Sequence, residues 1–309
     1  MSDLSIGVVG ATGLVGEVFV TLLEERKTPI KQLKLFASDA SAGKQISFRD
    51  KKITAESLKS GCFNGLDLVF FSSGNDISKT WAPIAVQAGA FAIDNSSAFR
   101  MHPEVPLIVP EVNAHILPPR TQPQIIANPN CSTIQLVVAL APLARKFGLK
   151  DVKIATYQSA SGAGREALDE LNNQYTQIVR KEKPTAKVFS APLARNVIPQ
   201  IGDIEVDGFT GEEKKLIFET RKILDLPQLS VSSFAVRVPT MVGHAEAVWI
   251  SLEKTTTKNE IETLLAQSPG VVLYREGYPL VSEVEGKNPV FVGRIHQDLS
   301  DPKTWLMWV

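Results

Sequence analysis

An α/β chain in two parts, opening with a doubly wound parallel sheet, is predicted by three observations. Apolar runs alternate with helical patterns across the first 130 residues, and a glycine-rich turn links the first run to the first helix. Beyond about residue 150, longer alternating strands mix with polar-faced helices. The expected division is residues 1–130 for the first domain and 131–309 for the second.

The runs SIGVV, LKLFAS, DLVFFSSG, FAIDNSS and PQIIAN are short, apolar and bounded by turn residues, as parallel strands buried on both faces are. Between the first two, GLVGEVFVTLLEERK places Val18, Leu22 and Leu23 at helical spacing. ISKTWAPIAVQAG supplies another crossover helix, with Pro83 expected near its start or at a kink. In the second domain KIATYQSASGAG is a strand entering a glycine-containing loop, REALDELNNQYTQIVRK a helix with a polar face, and KEKPTAK an exposed loop. Thr210 and Glu213 form a capping box at the head of GEEKKLIFETRKIL, and Thr257 with Glu260 does the same for NEIETLLAQ. LSVSSFAVRVPT and HAEAVWISLEK are expected to be two strands joined by a short turn around Val242 and Gly243. VVLYRE, PVFVGRIHQ and TWLMWV complete an α+β half with a mostly antiparallel sheet.

Composition narrows the partners. Thirty-three basic residues balance 33 acidic ones, so no overall field draws nucleic acid or an anionic membrane, and small molecules are the expected ligands. No apolar run approaches the ~18 residues of a membrane span, and MSDLSIGVVG enters a strand without a basic leader, so the expected address is cytoplasmic. Two cysteines make a disulfide framework implausible. Cys62, in the loop-like KSGCFNG, reads as structural. No metal site is expected.

The turn GVVGATGLVG carries Gly10, Gly13 and Gly16 as a GxxGxxG variant of the dinucleotide fingerprint, which makes the first domain Rossmann-like. Glycines there let backbone N–H groups approach a pyrophosphate lying on the helix N-terminus, and Thr12 offers a further hydroxyl or N–H. After the second strand, ASDASAGK gives mixed signals. Asp39 suits a ribose hydroxyl and repels a 2′-phosphate, favouring NAD, whereas Ser38, Ser41 and Lys44 favour the phosphate.

NPNCSTIQ places Cys131 between an asparagine-proline turn and the start of a helix, where unpaired N–H groups favour thiolate over thiol. Most free cysteines are simply small buried hydrophobes, so partners must decide. Arg237 and His244 approach the same edge of the sheet if their strands pair as a hairpin. A histidine titrating near neutrality trades protons with a thiol or its products. Arg237, if buried, needs a carboxylate partner. Glu212 and Lys215, three apart on a first helical turn, read as a solvated ion pair. Arg100 follows a strand's C-terminal end, where doubly wound folds bind ligands. His102, His115 and His296 read as surface or structural residues. A thiolate, a histidine, cations and a dinucleotide turn together suggest an acyl group held on sulfur and reduced or formed by hydride transfer.

The motifs GATGLVG, IDNSSAFRM, VPEVN, IIANPNCSTIQ, TYQSASGAG, NVIPQI, ETRKIL, VRVP, VGHAEAV and FVGRI run along nearly the whole chain. In them it closely resembles the aspartate-semialdehyde dehydrogenases of the bacterial type, relatives of the phosphorylating aldehyde dehydrogenases. NPNCSTIQ is highly specific and separates this family from the related acyl-phosphate reductases of arginine synthesis.

The resemblance implies Cys131 as nucleophile, His244 as acid/base and Gln158 as the residue orienting the acyl intermediate. It implies Arg237 gripping the substrate carboxylate, Glu212 meeting the amino group, and Arg100, Asn130 and Lys215 contacting phosphate. Expected cofactor contacts are Gly10, Thr12, Gly13, Leu14, Val15 and Gly16, then Ser38, Ser41, Ser161 and Gly162. The implied reaction is reduction of β-aspartyl phosphate to aspartate β-semialdehyde with release of phosphate, serving lysine, threonine, methionine and diaminopimelate synthesis. A homodimer formed through the second domain, which also carries the catalytic residues, is implied as well.

NADP is the cofactor expected on family grounds, with NAD the alternative, because members using NADP commonly read ASxRSAGK and Ala40 stands at the arginine position. Family sequences continue past the last strand into a helix resembling ADNLRKGAALNAVQ that returns to the first domain; this helix is missing from the present sequence, which ends at Val309. Two other readings stay open: a catalytically silent homologue acting as a binding or assembly protein, and a cysteine hydrolase using Cys131 and His244.

Overall fold

The structure is a computed structural model and describes residues 3–309. Its elements run β1 (Leu4–Val9), α1 (Leu14–Glu25), β2 (Ile30–Ala37), β3 (Gln45–Phe48), β4 (Lys51–Thr54), β5 (Glu56–Ser57), β6 (Leu68–Phe71), α2 (Asn75–Gln87) and β7 (Phe91–Asp94). After α3 (Pro110–Asn113) and β8 (Ile125–Ala127) come α4 (Cys131–Phe147), β9 (Leu149–Gln158), α5 (Arg165–Val179), α6 (Gly211–Leu224), β10 (Ser230–Arg237) and β11 (His244–Leu252). The chain closes with α7 (Lys258–Ala266), β12 (Val271–Leu273), α8 (Val281–Val284), β13 (Val290–Gln297) and β14 (Thr304–Trp308). No helix among the described residues is long and apolar enough to cross a membrane.

Two compact units divide the chain: Met1–Ile108 with Ala114–Pro129, and Val109–Asn113 with Asn130–Val309. The first is built on a six-stranded sheet of order β5-β2-β1-β6-β7-β8, parallel at every pairing. The strand order reverses beside β1, so the turn after β1 lies at the topological switch point, where such sheets bind ligands. Val8, Leu35, Val69 and Phe71 are almost wholly buried, which matches uninterrupted apolar runs rather than alternation. Pro83 lies inside α2 rather than near its start. The small β3–β4 hairpin, closed by Arg49 at positive φ, carries no alternation strong enough to announce it.

The second unit has a mixed six-stranded sheet of order β10-β9-β11-β14-β13-β12. Three pairings are antiparallel, while β10–β9 and β12–β13 are parallel. β10 and β11 do not form the expected hairpin, because β9 lies between them and pairs with both. The turn signals around Gly243 were compatible with a hairpin, and local turn chemistry does not encode which strand interposes. Leu136, Leu140 and Leu143 of α4 pack with Val152, Ile154, Val248 and Ile250 of the sheet to form the core. Both capping boxes are present, at Thr210–Glu213 and Thr257–Glu260.

Candidate active site

Cys131 is the first residue of α4 and its side chain is exposed. Asn130 before it is extended and acts as N-cap: its Oδ1 accepts the N–H groups of Ser132 at 3.0 Å and Thr133 at 3.2 Å. The following apolar run is buried, so the helix is fixed by its core face while the thiol stays accessible.

Register places three further residues in one row. Gln158 at the end of β9 pairs with Arg237 at the end of β10 on one side and with His244 at the start of β11 on the other. Arg237 and His244 are thus brought together, though through β9. Ser159 joins the row's outer members: its carbonyl accepts Arg237 Nη1 at 2.6 Å, and its N–H donates to His244 Nδ1 at 3.1 Å. The Ser159 hydroxyl lies 3.3 Å from the same nitrogen, so Nδ1 is partnered whichever ring nitrogen holds the proton. Sequence reasoning did not single out Ser159; its signal was its place immediately after Gln158, in the loop leaving β9. Gly162 packs against both neighbours, because a Cβ there would lie 2.9 Å from Arg237 Nη1 and 3.5 Å from His244 Nε2.

Glu212 is 7% exposed, which corrects the expected solvated ion pair. Its Oε1 accepts Asn130 Nδ2 at 2.8 Å and Gln158 Nε2 at 3.2 Å, and its Oε2 accepts Lys215 Nζ at 3.1 Å. Burial acts to raise its pKa, but the Lys215 charge and these hydrogen bonds outweigh it and hold the carboxyl below its ordinary value. Gln158 donates also to Thr156 Oγ1 at 3.3 Å. Burial lowers the pKa of the Arg237 guanidinium, while the charges of Glu212 and Cys131 favour its cationic form.

His244 departs from the neutral titration expected of it. Burial, then the Arg237 charge, pushes its pKa down to about 4 from 6.5. The resting ring is therefore neutral. The native state resists protonation where the unfolded chain accepts it, so this contribution to stability is complete above pH 6.5 and is lost as the pH falls toward 4. We expect His244→Asn to flatten the acid-side fall in melting temperature over that window, by the equivalent of at most about 3 kcal/mol. An unchanged slope would show that His244 is not the group responsible. Two residues along β11, Glu246 is fully buried, and burial pushes its carboxyl well above the ordinary range, with Gln135 acting the other way.

A cavity of about 400 Å³ adjoins the thiol and the imidazole, lined by Cys131, Gln135 and His244 with Val284, Phe291 and Trp308. A smaller one of about 250 Å³ lies beside Arg237, between Ala163 and residues 188–203.

In the first unit, the glycine turn fits a dinucleotide phosphate. Gly10 has φ +81, and a Cβ on Gly16 would lie 2.2 Å from the Gly10 carbonyl, so α1 begins closer to the turn than any side chain permits. Gly13 caps α1 without a side-chain hydrogen bond, and Gly13 and Val15 are exposed beside partly buried Thr12 and Leu14. Beyond β2, Ser38, Asp39 and Ala40 are exposed and Ser41 is partly buried. Arg100 is buried, with Nη2 donating to the Asn95 carbonyl at 2.9 Å. Ser161 and Gly162 belong to the second unit, in a short 3-10 helix (Ala160–Ala163) beyond Gln158, where Ser161 Oγ lies 3.0 Å from Ser159 Oγ.

The fold and the site define a semialdehyde dehydrogenase. Residues 5–118 match the family model "Semialdehyde dehydrogenase, NAD binding domain", and residues 140–309 match "Semialdehyde dehydrogenase, dimerisation domain". The aspartate-semialdehyde dehydrogenase of Aquifex aeolicus is 43% identical over 98% of this chain and 91% of its own length, and that of Legionella pneumophila 42% over 99% and 90%. The crystal structure of aspartate semialdehyde dehydrogenase II from Vibrio cholerae, complexed with ASA, superposes with TM-score 0.95 at 38% identity, covering 100% of this chain and 92% of that one. The chain belongs to the aspartate-semialdehyde dehydrogenase family.

Proposed function

We propose that the chain catalyses the NADP-dependent reduction of β-aspartyl phosphate to aspartate β-semialdehyde, and its reverse, through a thioester on Cys131. The observation that carries this reading is the row Arg237–Gln158–His244 with Glu212 hydrogen-bonded beside it, all in the unit that bears the exposed Cys131. The row provides a cation for a carboxylate, an amide for a carbonyl oxygen and an imidazole for a proton. Glu212 adds an anion suited to an ammonium group. A substrate with a carboxylate, an ammonium and a reactive carbonyl carbon, acyl phosphate in one direction and aldehyde in the other, meets each of these in turn.

In the reductive direction the Cys131 thiolate attacks the acyl carbon and phosphate departs, leaving the thioester. A bound nicotinamide supplies the hydride. Gln158 holds the acyl oxygen as negative charge develops on it, His244 supplies the proton of the resulting thiohemiacetal, and collapse restores the thiol. In reverse, His244 removes that proton, and phosphate held by Asn130 and Lys215 attacks the thioester. Burial depresses His244 most and the Arg237 charge adds to it; the carboxylate of the substrate, set on Arg237, offsets the second of these and so shifts the imidazole upward.

The turn from Gly10 to Gly16 with Ser38 and Ser41 would hold the adenosine and phosphates. Family usage favours NADP although Ala40 replaces the arginine. The expected result is a KM for NADPH at least ~10-fold below that for NADH, as one phosphate contact of about 1.4 kcal/mol provides; a much better NADH would overturn the assignment. The working form is a homodimer joined through the second unit, in the cytoplasm, feeding lysine, threonine, methionine and diaminopimelate synthesis. Nicotinamide absorbance, followed with aspartate semialdehyde and phosphate, tests the reading. Continued turnover of cofactor only when both are present, with no more than one reduction per active site when phosphate is omitted, supports it, and consumption of substrate without any absorbance change would instead indicate a hydrolase.

A further inference from the structure

We infer that Glu219 is a positioning residue for the nucleophile: reaching from α6 to the backbone N–H of Asn130, its carboxyl group sets where Cys131 sits. The inference rests on the reading of Cys131 as nucleophile, and it adds a residue outside the substrate-contacting set proposed above.

Glu219 is 1% exposed, and its Oε2 accepts the Asn130 N–H at 2.7 Å. Glu212 lies seven residues earlier on the same helix, so the two carboxyl groups project from nearly the same face, two turns apart. Both hold one residue, since Glu212 takes Asn130 Nδ2 at 2.8 Å. The remaining polar groups of Asn130 are committed to α4: Oδ1 caps Ser132 and Thr133, and the carbonyl accepts the Ile134 N–H at 2.9 Å. Asn130 is therefore held at every polar group, on one side by α6 and on the other by the helix that Cys131 begins. One peptide bond separates it from the thiol-bearing residue.

A glutamate is a costly way merely to pack two helices, because an apolar side chain of similar volume fills the same space without desolvating a charge. Its use is explained if the backbone donor ahead of Cys131 must be satisfied in one fixed place. Lys222, one turn further along α6, provides a countercharge: partial burial disfavours its ammonium and Glu219 favours it. The arrangement lets α6 place Glu212, for the substrate, and Asn130, for the nucleophile, as one rigid piece.

The test uses the full chain and two readouts, steady-state kinetics and the rate at which iodoacetamide alkylates Cys131. Glu219→Ala is expected to lower kcat by ~10- to 100-fold, the range for a displacement approaching 1 Å, with KM for the semialdehyde changed less than about threefold. Alkylation should slow by roughly tenfold in the same variant. Glu219→Gln retains an acceptor oxygen and should restore most of both rates. If Glu219→Ala does not fold, Glu219→Asp, which keeps the charge but withdraws the acceptor by one methylene, should show the same loss of alkylation with a native melting transition. A folded Ala or Asp variant with wild-type kcat and wild-type alkylation overturns the inference. So does a Gln variant as impaired as Ala. Alkylation requires no substrate, so a wild-type protein that is alkylated at Cys131 yet inactive on the semialdehyde would refute the proposed function and leave this inference to be judged by alkylation alone.

Discussion

Replacing Cys131 with alanine abolishes phosphate-dependent oxidation of aspartate semialdehyde, with a loss of at least ~10³-fold in kcat, since removal of a covalent nucleophile leaves only binding and orientation to accelerate the reaction. The fold is unaffected. The side chain is exposed, the cap of α4 is supplied by Asn130, and alanine is the best helix former for the vacated position. Activity and melting temperature measured on the same preparation check both halves of this result. Loss of activity accompanied by loss of the native transition would leave Cys131 a structural residue.

Arg237→Lys is the second large effect, expected as a fall in kcat/KM of roughly 10²-fold, or about 3 kcal/mol, with most of it in KM. The guanidinium is wedged between the Ser159 carbonyl, which accepts Nη1, and Gly162, whose missing side chain leaves that nitrogen room. A lysine keeps the charge but offers no planar pair of donors, so it cannot hold Ser159 and grip a carboxylate in the same geometry. Kinetics with the semialdehyde as varied substrate check it, and an unchanged KM would remove Arg237 from the carboxylate site. Because Ser159 also partners His244, the variant should shift the pH dependence of kcat as well.

These effects were legible in the sequence to different depths. The glycine turn after SIGVV, the strand runs around it and the cap-plus-cysteine of NPNCSTIQ are local signals, and local hydrogen bonding decides those elements. Gln158 is the opposite case. Nothing in KIATYQSASGAG marks a glutamine as functional, and resemblance alone chose it; its position in the row follows from β9 lying between β10 and β11, a pairing across long sequence separations that no turn residue announces. The same interposition is why the expected hairpin is absent while the two residues it was meant to unite are nevertheless neighbours. Helix α6 misleads in another way. GEEKKLIFETRKIL has the charge content of a solvated helix, yet Glu212, Glu213 and Glu219 are buried. Glu213 accepts the Thr210 and Ala235 N–H groups, Glu219 that of Asn130, and Glu212 the side chains of Asn130, Gln158 and Lys215, so the carboxyl groups are inside because donors occupy them. Side-chain polarity read from a sequence does not reveal such partners. The depressed histidine escapes it too, since His244 owes its shift to burial and to an arginine two strands away.

The central claim is a covalent bond between the acyl group and the sulfur of Cys131. It is tested most directly by mixing the protein with aspartate semialdehyde and oxidised cofactor, omitting phosphate, and examining the acid-quenched chain by peptide mass spectrometry. The account predicts that the peptide containing Cys131 gains the mass of one aspartyl group, in step with a burst of cofactor reduction, and that added phosphate discharges it. Cofactor reduction with Cys131 unmodified throughout would contradict it.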